Sequence, residues 1–418
     1  MAKIASELQS QMNAMSNDEP IPVIIRRKSG VFSAQTLLPS SPAIDHAFNL
    51  FPGEACSIVA ADIETLRQRD DIEEIWPDLP VQAWLSSSVP KLETPKVWEA
   101  GFKGTGIKVA VVDTGIDADH PDFASRIIAT KSFVGDSADD DNGHGTHVAG
   151  IVAGSGAKSN GKYVGVAPEA SLYVAKVLRG DGSGSMSGVM AGIEWAVLEQ
   201  QVQIINLSLG GTGSCDGTDA LSVLCDEAVT QAGVVICVAA GNTGPGSRTV
   251  GPPGCARHVI TIGATDDNDR IARFSSRGPT SDGRIKPDIV FPGVSITAAQ
   301  ASGTQLGPVA EEGYITIDGT SMATPHASGV VALMLQANPE LTAAQVKTQM
   351  LAATIDIGAE PNEQGTGRGD AHQAYLKAID EDIPEPEPPP TPPPPQPEPE
   401  PSPPGCLAAV ASLLGRRG

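Results

Sequence analysis

Short apolar runs bounded by glycine recur through the middle of the chain, at 109–112, 172–177, 204–209, 234–240 and 259–262, with helical stretches between them. Each is a near-continuous string of Val, Ile, Leu and Ala, which suits strands covered on both faces. The pattern predicts an α/β fold, a doubly wound and mostly parallel sheet with helices on both faces. Earlier in the chain the pattern changes. Val23-Ile24-Ile25 reads as a strand, 61–69 as a short helix and 71–76 as a second strand, giving a small α+β unit that ends in an extended stretch at 79–88. Near the C-terminus, Pro and Glu fill almost every position of 383–404, a composition that cannot pack a core and favours extended chain. The expected organisation is a polar leader at 1–20, the α+β unit at 21–88, the α/β body at 89–379, a Pro/Glu-rich linker at 380–404 and a short apolar-basic tail at 405–418.

Composition narrows the function. The 418 residues are 40% hydrophobic but only 4% aromatic, so the core must be built from small aliphatic side chains. A net charge of -22 argues against nucleic acid or an anionic membrane as the main partner. Residues 1–20 hold no apolar run and so no recognisable secretory signal, and no stretch approaches the roughly 18 to 20 apolar residues of a membrane span. The six cysteines contain no C-x-x-C pair, which leaves zinc or thioredoxin-like chemistry without support.

Candidate chemistry centres on Gly319-Thr320-Ser321-Met322-Ala323-Thr324-Pro325. The small residues that follow predict a helix starting at or just after Ser321, with Pro325 tolerated near its first turn. A serine there faces orphan N–H groups and the positive end of the helix dipole, which suits acyl transfer; an ordinary N-cap is the competing reading. Asp113 directly follows the run at 108–112, at the carboxyl end of a predicted strand, where reacting groups collect in such sheets and where turn residues also occur. His144 and His147 lie in Asp141-Asn142-Gly143-His144-Gly145-Thr146-His147-Val148. Further metal ligands are not adjacent, so a metal site is disfavoured. Glycines on both sides of His144 favour exposure at a helix start, while His147 enters a buried helix, so function is assigned to His144 and structure to His147. In chain order Asp113, His144 and Ser321 supply the orienting acid, general base and nucleophile of acyl transfer. No G-x-S-x-G occurs, which removes the main support for a lipase or esterase.

These blocks, with Ala239-Ala240-Gly241-Asn242, resemble the subtilisin-like serine proteases from about Trp98 to about Ala378. The resemblance implies that the Asn242 amide and the Ser321 backbone N–H hold the oxyanion. It implies two groove edges, Ser208-Leu209-Gly210-Gly211 and the segment carrying Gly184 and Met186, that take an extended peptide as an added strand; flexible loops are the alternative. Gly251 would floor the first specificity pocket, leaving room for a large apolar side chain. No cofactor is implied for the chemistry; a structural calcium is implied at Asp122. Residues 21 to about 89 resemble an inhibitory propeptide acting in cis, cut within Trp84-Leu85-Ser86-Ser87-Ser88, on an otherwise monomeric enzyme whose partners are protein and peptide substrates. The segments at 160–168 and 180–182 are closer to intracellular bacterial subtilases, which places the protein in the cytoplasm; the tail, ending Arg416-Arg417-Gly418, resembles surface-sorting tails and keeps export open. Cys225 and Cys237 are expected as core thiols, and pairing of Cys215 with Cys255 stays undetermined. The expected function is a self-processing serine endopeptidase. A scaffold with a vestigial site and a peptide ligase on the same triad are the alternatives.

Overall fold

In the computed structural model, residues 2–4, 8–9, 12, 20–28, 44–48, 53–77 and 85–380 are described, and the linker and tail from 381 onward lie outside them. The N-terminal unit is a sheet of β1 (Lys3–Ile4), β2 (Ile21–Arg27), β3 (Ile44–Phe48), β4 (Gly53–Ile58) and β5 (Ile72–Pro77), in the order β1-β5-β2-β4-β3, with helix α1 (Ala60–Arg67). Ile63 and Leu66 of α1 share one buried cluster with Val23, Ile25, Ile72 and Ile75. Arg27 is buried on this sheet against Glu54 at 2.5 Å and Asp71 at 2.8 Å, so its charge is paired rather than stranded. The expected polar leader is partly wrong. Ala2 and Leu8 are buried in that cluster, and Lys3 and Ile4 pair in parallel with Glu74 and Ile75. A two-residue strand has too little periodicity to show in a sequence.

The stretch expected as extended at 79–88 is helical in its last residues. Helix α2 (Leu85–Lys91) carries Ser88 and Val89, both buried, and the Ser88 hydroxyl lies 2.8 Å from His326 Nε2. Val89 and Leu92 join the core of the body, which therefore takes in the chain from 89 onward, and Ser88 already touches it through His326. Residues 78–84 lie outside the described set.

The body continues through α3 (Thr94–Glu99), β6 (Lys108–Asp113), β7 (Ile127–Ser132), α4 (His144–Ala153), β8 (Ser171–Lys176), α5 (Met186–Glu194), β9 (Ile204–Leu207), α6 (Ala220–Ala232), β10 (Val235–Ala239), β11 (Ile260–Thr265) and β12 (Ile289–Pro292). A hairpin region, β13 (Ile296–Ala299), β14 (Val309–Glu311) and β15 (Tyr314–Ile317), leads into α7 (Thr320–Ala337), α8 (Ala343–Ala352), β16 (Thr354–Ile355), β17 (Arg368–Gly369) and α9 (Ala371–Ala378). Among the described residues the main sheet has nine strands in the order β16-β17-β12-β11-β10-β9-β6-β8-β7, parallel throughout except for β16. All five apolar runs form strands of this sheet. Val109, Val111, Val112, Ile204, Ile205, Val238 and Ile262 are essentially without exposure. Each such side chain contributes about 1.5–3 kcal/mol relative to exposure, as an upper bound. Helices α4 and α7 pack on each other, and Gly329 lets α7 approach the loop at Val166, where an added Cβ would come within 2.4 Å of the valine side chain.

Strand order reverses at β6, flanked by β9 and β8, so the carboxyl ends of β6, β9 and β10 open onto the crevice where ligands bind in such sheets.

Candidate active site

Asp113 closes β6 and is fully buried; one of its oxygens, Oδ1, accepts the Thr114 N–H and lies 2.7 Å from His144 Nδ1. That contact fixes the tautomer, with the proton on Nδ1 and Nε2 left as acceptor. His144 is the first residue of α4, whose N-cap is Gly143 at φ 104°, a left-handed conformation suited to glycine. The His144 side chain is 20% exposed, so the ring reaches solvent at the crevice. Burial opposes its charged form, but the Asp113 carboxylate, the hydrogen bond to it and the charge of Asp140 together hold its pKa above the ordinary value of 6.5. His147, one turn into the helix, is buried and its Nε2 donates to the Ile296 and Ile315 carbonyls at 3.1 and 3.2 Å.

Helix α7 begins at Thr320, so Pro325 falls in its second turn rather than its first. A proline there cannot donate to the carbonyl four residues back, which belongs to Ser321. Ser208 Oγ donates to that carbonyl at 2.8 Å, and the Ser321 hydroxyl donates to the Ser208 carbonyl at 3.0 Å. Ser208 is itself held by Asn206, whose amide donates to its hydroxyl at 2.9 Å. Ser321 is therefore anchored to the end of β9, and its hydroxyl points to the Ser208 carbonyl. A catalytic contact of this hydroxyl would need rotation about the Cα–Cβ bond, as catalytic hydrogen bonds often form fully only with substrate bound.

Asn242 follows β10 and is exposed. Its Oδ1 accepts both the backbone N–H and the hydroxyl of Thr320 at 2.9 Å, so the amide nitrogen faces outward as a donor. This role of Thr320 was not legible in the sequence, where threonine before the serine reads only as a helix start. A cavity of about 710 Å³ is lined by His144, Gly184, Met186, Ser208, Leu209 and Gly210. A second, of about 240 Å³, is lined by Gly251, Asn242, Thr320 and Ser321. Gly251 allows the pocket walls to touch, since an added Cβ would meet the Gly211 carbonyl at 2.0 Å. Beyond this wall Cys215 and Cys255 form a disulfide with Cα atoms 6.0 Å apart, while Cys225 and Cys237 are buried thiols.

Asp122 lies away from these groups, and its surroundings do not fit a calcium ion. Tyr314 donates its hydroxyl to both carboxylate oxygens at 2.9 and 2.8 Å, and Lys158 donates its N–H to Oδ1 at 3.1 Å. The Arg126 guanidinium occupies the Asp122 and Ala153 carbonyls. Oxygens that would ligate a cation are thus taken by donors, one of them charged. Tyr314→Phe is expected to cost about 1.5–3 kcal/mol of unfolding free energy, because a buried carboxylate loses its main donor. Excess chelator should leave the parent's melting temperature within a degree or two of its value in calcium; a large drop would restore the ion.

Comparison with known proteins follows the same line. The model of the Subtilase family matches residues 104–369. Serine protease AprX of Bacillus subtilis (strain 168) is 40% identical over 335 residues, covering 74% of this chain and 75% of that protein. An intracellular serine protease of Paenibacillus polymyxa is 40% identical over 307 residues, covering 70% of this chain and 86% of its own length. Among solved structures, a cold-adapted subtilisin-like serine proteinase aligns with a TM-score of 0.52 at 33% identity, covering 64% of this chain and 88% of that one.

Proposed function

The chain belongs to the subtilase family and is a serine endopeptidase, and on that premise we propose that it is made as a self-processing zymogen that cleaves after large apolar residues. The observation that carries the chemistry is the 2.7 Å contact of His144 with Asp113, on a crevice also lined by Ser208, the residue to which Ser321 is bonded at its helix start. Ser321 Oγ attacks the scissile carbonyl and gives its proton to His144 Nε2. Asp113 stabilises the imidazolium, which returns the proton to the leaving amine. The Asn242 amide and the Ser321 N–H receive the oxyanion, a task for which an amide locked by Thr320 needs no reorganisation. Asn242→Ala is expected to lower kcat by about 10²–10³ with KM little changed, a general figure that was itself measured on a subtilisin. Equal changes in kcat and KM on peptide substrates would remove Asn242 from this role.

The cavity beside Ser321 is lined by no acidic or basic side chain, which supports acceptance of large apolar residues there. The separate core of the N-terminal unit supports its reading as a propeptide held in cis at high effective concentration. Bonds within α2 are shielded by the burial of Ser88 and Val89, so the new N-terminus should lie at or before Leu85. The test is expression of the parent beside Ser321→Ala. The parent should shorten by roughly 80–85 residues at ~110 Da each, and the variant should persist near 43.0 kDa. A fully active parent that keeps its first residues would make that unit a permanent accessory domain. No described helix is long and apolar enough to cross a membrane. For location, the cytoplasmic reading meets one opposing observation: the Cys215–Cys255 disulfide favours an oxidising compartment and so supports export.

A further inference from the structure

Gly143 has no side chain with which to cap the helix that starts at His144. The cap comes from Asp140, three residues earlier and only 6% exposed. Its Oδ1 accepts the Gly143 N–H and the Thr114 hydroxyl at 2.8 Å and the Asn142 N–H at 3.2 Å. Its Oδ2 accepts the Thr146 N–H and hydroxyl at 2.8 and 2.7 Å. Thr114 Oγ1 in turn accepts the Gly145 N–H at 2.8 Å. One buried carboxylate thus joins the residue after Asp113 to the first turn of the helix carrying His144. Among the described residues no lysine or arginine is ion-paired with it, and dipoles alone hold the charge.

We propose that Asp140 is a positioning residue of the protease: it sets the spacing of Asp113 and His144 and places a second fixed negative charge at the foot of the histidine's helix. Two consequences follow. Loosening the turn should misplace the base, which lowers kcat more than it raises KM. Removing the charge should make the imidazolium less favourable, since an anion stabilises the protonated ring. Other groups around His144 do not mask this effect. Asp113 is in direct contact, and Asp141 is paired with Lys176 at 2.5 Å. Asp181 lines the groove and is held low by its bonds to Ser183. Burial keeps His147 at about 3 and His326 at about 4, so both stay neutral while His144 titrates.

The inference rests on the protease reading, so the deciding measurement is one that needs no substrate: NMR titration of the His144 ring in the full chain. In Asp140→Asn the ring pKa should fall on the order of half a unit, and the acid limb of kcat/KM should move down with it. Asp140→Glu keeps the charge and should return the ring close to the parent value. A ring pKa unmoved in Asp140→Asn overturns the proposal, whether or not the parent hydrolyses peptides. Should Asp140→Asn not fold, Thr114→Val takes one donor from the carboxylate and leaves its charge. It should lower kcat roughly tenfold with KM nearly unchanged, and an unchanged kcat would overturn the proposal equally.

Discussion

Ser321→Ala protein is expected to fold and to hydrolyse nothing measurable. The proposed nucleophile is one hydroxyl in a site whose scaffold does not depend on it: the bond to the Ser208 carbonyl at 3.0 Å is lost, but the Ser208 hydroxyl still holds the residue's carbonyl at 2.8 Å. Pro325 and the small residues behind it are untouched, so the melting temperature should stay close to the parent's. The loss in kcat should be on the order of 10⁶-fold, a figure measured on a subtilisin and carried over to this relative rather than derived from the structure. Casein hydrolysis at an undiminished rate would remove Ser321 from the mechanism.

The two histidines three residues apart should separate cleanly. His144→Ala removes the base and should cost about as much activity as loss of the serine, with little loss of stability because the ring reaches solvent. His147→Ala leaves the triad in place but empties a buried site and strands the Ile296 and Ile315 carbonyls. It should cost about 2–4 kcal/mol of stability. Their pH dependences also differ. If His144 is the neutral base proposed above, kcat/KM should be lost as pH falls through its raised pKa, above 6.5. Folded pKa values of His147 and His326 are depressed to about 3 and about 4. Their stabilising contribution is therefore present above the unfolded value, about 6.5, and is lost as pH falls from there towards 4. The melting temperature should drop across that window, and less steeply in His147→Ala. A stable His147→Ala enzyme without activity would reverse the assignment.

Five of the parallel strands were legible because each carries a nearly continuous aliphatic run, the signature of burial on both faces; β7, half-exposed and ending Thr-Lys-Ser, and the short β12 and β17 were not. Asp113 and Ser321 stood out because each sits in a small or apolar context at an element's end, His144 because glycines flank it at a helix start, and Asn242 through the family resemblance. What escaped the sequence depends on contacts distant along the chain. Tyr314 reaches Asp122 across 192 positions, and Ser88 reaches His326 across 238. Neither pairing has a local pattern, so Asp122 read as a metal ligand and Ser88 as part of an extended linker. The hairpin region β13–β15 was missed because its strands are three or four residues long. Asp140 was hidden for another reason: in Asp139-Asp140-Asp141 it looks like a solvated acidic run, and only its five donors set it apart.

The most direct test of the account is the site of covalent labelling by a serine-directed fluorophosphonate during casein hydrolysis. Inactivation should be complete when one adduct per molecule has formed, and peptide mass mapping should place that adduct on Ser321 alone. An adduct on a different serine, or full hydrolysis by protein whose Ser321 remains unlabelled, would contradict it.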